Sequence, residues 1–120
     1  MGAARAPEIG SLPVFARAFL LERVDGDWEL FRQVLEIFRE DSRQRFDELR
    51  CACTRGDLDQ AWRKAHALKG LAGSVGACRL EASARALEAA ARRADVAEVD
   101  ALLAYAQSEL DELLAALGDV

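Results

Sequence analysis

The long helical periodicity of its apolar residues is the feature that most constrains the fold of this 120-residue chain. Both prolines lie within the first 13 residues, and beyond them apolar side chains recur every three or four residues over four long stretches. Such spacing places the apolar residues on one face of an α-helix. The many Ala, Leu, Glu and Arg residues favour the same conformation because they lose little entropy in a helix. The chain is therefore predicted to be all-α.

Turn and capping signals divide this pattern into five predicted helices. Asp27, Asp57 and Asp95 each precede a helical stretch, where a carboxylate can accept hydrogen bonds from the first free N–H groups. Pro13 suits the first turn of a shorter helix. The predicted helices span residues 13–23, 28–54, 57–75, 78–93 and 95–117. The residues predicted to lie on their apolar faces are Phe15, Phe19, Leu20, Trp28, Phe31, Leu35, Phe38, Phe46, Leu49, Leu58, Ala61, Trp62, Ala65, Leu68, Ala72, Val75, Leu80, Ala84, Leu87, Ala91, Val96, Val99, Leu103, Ala106, Leu110, Leu113 and Leu117.

The connections between the four longer helices are only a few residues long, so successive helices are expected to lie side by side and antiparallel. A chain of 120 residues can form one compact core but is too short for two ordinary domains. We therefore expect a single domain over residues 11–120, an up-down antiparallel four-helix bundle with a short N-terminal capping helix. Residues 1–10 are expected to be a loosely ordered lead.

The charge of the chain is acidic overall and unevenly distributed. A net charge of −5 argues against nucleic acid as a partner, because phosphate backbones select basic surfaces. Residues 62–93 carry seven Lys and Arg against two Glu, whereas residues 94–120 carry seven acidic residues and no basic one. Two interpretations remain open: neighbouring helices that attract each other, or a positive field around a functional site.

The cysteines favour a reduced, cytoplasmic protein. Cys51 and Cys53 are too close on one helix to bridge each other, and Cys78 makes the number odd. Three cysteines and one histidine are a poor ligand set, so no metal and no cofactor are expected on the chain.

No apolar run approaches the roughly 18 residues of a membrane span, and the N-terminus lacks the hydrophobic core of a signal peptide. No membrane contact is expected.

His66 is the only histidine and the first candidate for a functional group. On a helical projection it lies roughly 110° from the core face of its helix, and is therefore predicted to be on a flank. Gly70 and Gly73 continue along that flank, and Lys69 lies one turn away. Two interior glycines cost a helix about 2 kcal/mol relative to Ala. They are explained either by close helix approach or by a partner that must come close to His66.

An imidazole suits phosphoryl transfer because much of it is neutral at cellular pH, with an ordinary pKa of about 6.5, and a neutral ring nitrogen is a nucleophile. The stretch from Ala65 to Gly76 resembles the histidine phosphotransfer (HPt) domain motif H-x-L-K-G-x5-G, and Leu80 and the Leu87–Glu88 pair follow as in that family. The resemblance covers about residues 12–117. It implies that His66 is phosphorylated, that Lys69 stabilises the phosphoryl group and that Gly70 leaves room for the partner.

The same resemblance implies response-regulator receiver domains as partners, with the Mg²⁺ on the receiver. Gly73 and Arg63 are assigned with Gly70 to the docking surface. Glu88 and His66 each lie 11 residues from the turn at residue 77, so they should face each other across the helical hairpin. Glu88 is expected either to orient the imidazole through one N–H or to form an ordinary ion pair with Arg85 or Arg92.

The function expected from these features is a phosphorelay intermediate that accepts a phosphoryl group on His66 and passes it to another receiver. No ATP-binding motif fits in the chain, so we expect a phosphocarrier, a monomer, and not an enzyme with its own kinase core. The chain is either free-standing or part of a hybrid sensor kinase. Two alternatives remain: the histidine acceptor domain of a chemotaxis-type kinase, or a helical adaptor that binds receivers without transfer.

Overall fold

The computed structural model describes residues 6–118, and within them the chain forms six α-helices and no β-strand. The all-α prediction is confirmed. The helices are α1 (Ala6–Gly10), α2 (Arg17–Arg23), α3 (Trp28–Thr54), α4 (Leu58–Val75), α5 (Cys78–Arg92) and α6 (Val96–Ala116). For the four longer helices, the bounds agree with the sequence-based ones to within a residue or two.

Three aspartates begin the helices α3, α4 and α6, as their positions in the sequence predict. Asp27, Asp57 and Asp95 each accept at least one hydrogen bond, at 3.0–3.1 Å, from a backbone N–H two or three residues further on. At its other end, α4 stops at Gly76. The φ angle of Gly76 is 84°, a left-handed backbone conformation that residues other than glycine rarely adopt. The helix that carries His66 is thus fixed at both ends.

The N-terminal segment differs from the prediction. Residues 6–10 form the short helix α1, and Ile9 is fully buried, where a loosely ordered lead was expected for residues 1–10. Residues 1–5 lie outside the described part. Helix α1 has only five residues, which is too short for a helical period to be recognised, so the sequence did not predict the burial of Ile9.

Helix α2 begins four residues later than predicted, at Arg17 instead of Pro13. The backbone N–H of Ala16 donates to the carbonyl of Gly76 at 2.8 Å, and Arg79 Nε donates to the carbonyl of Leu12 at 2.6 Å. These two contacts with distant residues hold residues 12–16 along the bundle in a non-helical path. The local sequence contains no signal for them.

The core lies among α3, α4, α5 and α6, and α4 packs most extensively against α5 and α3. Its large side chains are the predicted Phe31, Leu35, Phe38, Phe46, Leu49, Leu68, Leu80, Leu87 and Leu113. Trp28 and Val96, also predicted to be buried, are 48% and 57% exposed. Each is the first residue of its helix, where helical spacing does not guarantee a packed neighbour. Phe19 of α2 is likewise exposed, and the Arg23 guanidinium lies over its ring.

Within residues 6–118, none of the helices combines the length and apolar character that a membrane crossing requires.

Candidate functional site

His66 stands on the open flank of α4. Its side chain is 60% exposed, whereas Ala65 and Leu68, on the core face of the same helix, are fully buried. The helical projection therefore placed it correctly: the apolar spacing of α4 turns the core face toward α3 and α5 and leaves the imidazole at the surface.

Helix α5 brings a carboxylate to the inner side of this imidazole. Oε2 of Glu88 lies 3.0 Å from Nδ1 of His66, and Oε1 of Glu88 lies 2.8 Å from Nζ of Lys69. Glu88 is only 8% exposed, since the bodies of α4 and α5 enclose it. One carboxylate thus joins the two residues of α4 that the sequence motif singles out.

The charge state of Glu88 follows from these contacts. Burial raises the pKa of its carboxyl group, but the hydrogen bonds and charges of Lys69 and His66 outweigh burial and hold that pKa below its ordinary value. Glu88 is therefore ionised at neutral pH and only accepts hydrogen bonds. A neutral His66 must then carry its proton on Nδ1 and donate it to Glu88.

In neutral His66, this arrangement leaves a free lone pair on Nε2. Nε2 has no hydrogen-bond partner within residues 6–118, and the side chain is mostly exposed. The hydrogen bond on one ring nitrogen sets the state of the other. In its neutral form, His66 therefore presents an oriented nitrogen nucleophile to the solvent.

Lys69 and Arg92 complete the surroundings of the carboxylate. Lys69, expected from the sequence to face a phosphoryl group, is 24% exposed and hydrogen-bonds Glu88. An Nη of Arg92 lies 3.6 Å from Oε2 of Glu88, whereas Arg85 instead pairs with Glu81 at 3.4 Å. Both interpretations of Glu88 from the sequence thus describe real contacts: it binds the imidazole and it pairs with Arg92.

The two glycines of the flank have different surroundings. A Cβ at Gly70 would meet nothing within 4 Å, so the space beside it is open. A Cβ at Gly73 would lie 2.7 Å from a carboxylate oxygen of Glu81. The space beside Gly73 is thus occupied by this chain's own side chain, in contrast to the clearance that the sequence suggested there.

Arg63, assigned from the sequence to the docking surface, is exposed on α4 one turn before His66. Its Nε donates to Asp59 at 3.2 Å, and its guanidinium lies over the Trp62 ring, 4.6 Å from the centroid. Arg92 also lies over that ring, at 4.0 Å. Sequence reasoning missed this contact because Trp62 and Arg92 are on different helices, although the spacing of Glu88 and Arg92 on α5 does indicate their ion pair.

The described residues contain no group of three or more His, Cys, Asp or Glu side chains arranged to hold a metal ion. Cys51, Cys53 and Cys78 are all unbridged.

An all-helical fold that presents an oriented, exposed histidine beside a carboxylate and an ammonium has the features that a protein carrier of phosphoryl groups needs. The model of the Hpt domain family matches residues 33–119, and the chain belongs to this family. Hpt domains are phosphocarriers that work with response-regulator receiver domains. The chain is accordingly a histidine phosphotransfer intermediate of phosphorelays.

The fold is similar to that of a solved structure, histidine-containing phosphotransfer protein B (HptB) from Pseudomonas aeruginosa PAO1. The TM-score is 0.82 at 24% sequence identity, over 88% of this chain and 92% of that one. A comparison with curated protein sequences gave no significant match.

Proposed function

We propose that His66 carries the phosphoryl group, and that it accepts the group at Nε2 from the phospho-aspartate of one receiver domain and passes it to another. The observation that carries this proposal is the bond between Nδ1 and the ionised Glu88, 3.0 Å apart, on a side chain that is 60% exposed. In the neutral ring, this bond leaves the outer nitrogen unprotonated, and the exposure of the side chain leaves it accessible.

The transfer step requires no further chemical group from this chain. The Nε2 lone pair attacks the phosphorus, the bond from phosphorus to the aspartyl oxygen breaks, and its electrons remain on the receiver's carboxylate. Nδ1 keeps its proton, so the ring gains positive charge as the new N–P bond forms. The Glu88 carboxylate faces that charge at 3.0 Å and stabilises it. Transfer to the second receiver is the reverse of this step.

Lys69 has two roles in this proposal. An ammonium group has three donors, so Nζ can keep its 2.8 Å bond to Glu88 and still offer a hydrogen to a phosphoryl oxygen. Lys69 thereby holds the orienting carboxylate and offsets negative charge that arrives beside it. Gly70 leaves the space through which the receiver approaches, and Arg63 lies at the edge of that surface.

The chain contributes no cofactor in this proposal, and the Mg²⁺ of the reaction belongs to the receiver. The chain acts as a monomeric carrier with no kinase activity of its own.

Connections of two or three residues between α3, α4, α5 and α6 support an up-down antiparallel bundle. The shorter helices α1 and α2 cap it.

Removal of the imidazole tests the proposal. A cognate receiver, phosphorylated with labelled phosphate, should transfer label to the wild-type protein in an acid-labile form, as expected for a phosphoramidate. His66→Gln should receive none, since an amide nitrogen is not a nucleophile. The circular dichroism and the thermal midpoint of the variant should match the wild type, because the replaced side chain is mostly exposed. Label that persists on His66→Gln would place the phosphoryl group elsewhere.

A further inference from the structure

A chain of contacts leads away from Glu88 to an aromatic ring that the motif does not include. Trp62 lies one turn before His66 on α4, and Arg92 lies one turn after Glu88 on α5. The Arg92 guanidinium is 4.0 Å from the centroid of the Trp62 ring, and its Nη is 3.6 Å from Oε2 of Glu88. Arg92 therefore connects the ring to the carboxylate that holds the imidazole.

Three side chains share the Glu88 carboxylate. Lys69 takes Oε1 at 2.8 Å, while His66 at 3.0 Å and Arg92 at 3.6 Å share Oε2. The terminal torsion of a glutamate is soft and has no sharp staggered wells. Cations on both oxygens restrict that torsion, so that a lone pair of Oε2 stays directed at Nδ1 of His66.

Arg92 cannot hold this position through the ion pair alone. Its side chain is 56% exposed, and an ion pair at such exposure barely offsets the entropy of ordering a long side chain in water. The stack on Trp62 adds a cation–π attraction that restricts the guanidinium. The ring is itself held, since Nε1 of Trp62 donates to Asp59 at 3.3 Å.

We infer that Trp62 and Arg92 are positioning residues of the phosphotransfer site: Trp62 holds Arg92 against Glu88, and Glu88 held in this way keeps the proton on Nδ1 of His66. The effect on transfer rests on the function proposed above. The effect on the resting imidazole does not, because it concerns only the unphosphorylated protein.

The expected consequence of losing either residue is a change of tautomer. With Arg92 or Trp62 removed, Glu88 turns more freely and its bond to Nδ1 weakens. A neutral imidazole without such a bond places much of its proton on Nε2, the nitrogen that must attack. A smaller fraction of molecules is then ready to react, and transfer at saturating receiver should slow about fivefold, the scale of one cation–π contact.

The tautomer can be read directly because the chain contains one histidine. Nitrogen-15 NMR at a pH where the ring is neutral should show the proton on Nδ1 in the wild type. Arg92→Gln and Trp62→Leu should shift it toward Nε2, while Arg92→Lys and Trp62→Phe, which keep a cation and a ring, should retain most of the wild-type state. Arg93→Gln is the matched control, since Arg93 lies beside Arg92 without an ion pair in the described structure.

Transfer kinetics with a phosphorylated receiver provide the second measurement. Arg92→Gln should lower the maximal transfer rate with unchanged receiver affinity, and Trp62→Leu should lower the same maximal rate. A wild-type tautomer in both variants would overturn the inference, and so would loss of affinity alone, which would make them docking residues. If the wild-type protein accepts no label at all, the proposed function fails, yet the NMR comparison still decides whether Trp62 and Arg92 orient His66.

Discussion

At the scale of single residues, Gly70 and Gly73 show how positions that look equivalent in a sequence separate in three dimensions. Both lie on the His66 flank of α4, yet only the space beside Gly70 is open, whereas Glu81 occupies that beside Gly73. An interior glycine costs a helix about 1 kcal/mol relative to Ala. At Gly70 nothing in the chain itself requires the glycine, so its cost is best explained by the partner.

Gly70→Leu should therefore keep the fold and slow transfer. Beyond its chain neighbours and the backbone of α4, a Cβ at this position meets no atom within 4 Å, and Leu replaces a weak helix former, so the free energy of unfolding should rise slightly. It would also project into the path of the receiver, and transfer should fall by roughly tenfold or more because in-line attack tolerates little misplacement. Denaturant unfolding and transfer kinetics measure the two effects.

A suitable control for Gly70→Leu is Ala104→Leu, which adds similar bulk to an exposed position of α6. Wild-type transfer by Gly70→Leu would remove the clearance argument. Slow transfer by both variants would show that added surface bulk acts generally and not at this flank.

At the scale of the helices, the cap of α4 can be tested apart from the chemistry. Asp57 accepts the N–H of Gln60 at 3.1 Å, nine residues before the imidazole. Asp57→Ala should lower the free energy of unfolding by about 1 kcal/mol, since one N–H of the first turn loses its partner. Transfer rates at moderate temperature should not change, because α3 and α5 hold the middle of α4. A large loss of transfer without a loss of stability would contradict this separation.

The helices also show where sequence reasoning succeeds. The bounds of α3, α4, α5 and α6 were predictable because each end carries a local signal: a capping aspartate, a glycine or a break in apolar spacing. Helix α1 and the start of α2 were not, since both depend on contacts with α5 and with the turn after α4. Local patterns do not encode such distant contacts.

The candidate site, like the helices, has some features that the sequence predicted and others that it did not. The exposure of His66 followed from helical projection. The position of Glu88 opposite His66 followed from counting residues around the hairpin turn. The choice among the partners of Glu88 was not predictable, because side-chain lengths and torsions decide whether Lys69, Arg92 or both reach the carboxylate. The stack of Arg92 on Trp62 needs the actual rotation of α5 against α4.

At the scale of the whole molecule, the ion pairs support neither interpretation of the uneven charge. Of the seven basic residues in 62–93, only Arg79 pairs with the described part of the acidic segment, residues 94–118, at 3.1 Å from Glu112. The others that pair do so with α3, α4 or α5: Arg63 with Asp59, Lys64 with Glu48, Lys69 and Arg92 with Glu88, and Arg85 with Glu81. Attraction between the basic and acidic segments therefore does not explain the pattern, and most of the positive charge near His66 is locally offset.

The N-terminal segment is expected to detach from the bundle without unfolding it. Ile9 is fully buried but lies outside the main core cluster, and a five-residue helix is too short to persist without packing. Ile9→Ala should therefore release α1, and the Leu12 amide, which donates to the carbonyl of residue 9 at 3.0 Å, should exchange hydrogen much faster.

Release of α1 should leave the rest of the protein nearly intact. The loss in free energy of unfolding is limited to what the docked segment contributes, and should fall below the about 3–5 kcal/mol expected for Phe38→Ala in the main core. Transfer to His66 should be unchanged, since α1 packs on α5 and has no contact with the imidazole in the described structure. Hydrogen exchange and denaturant unfolding of the two variants measure this difference. An equal loss of stability in both would show that α1 is an integral part of the bundle and not an attached segment.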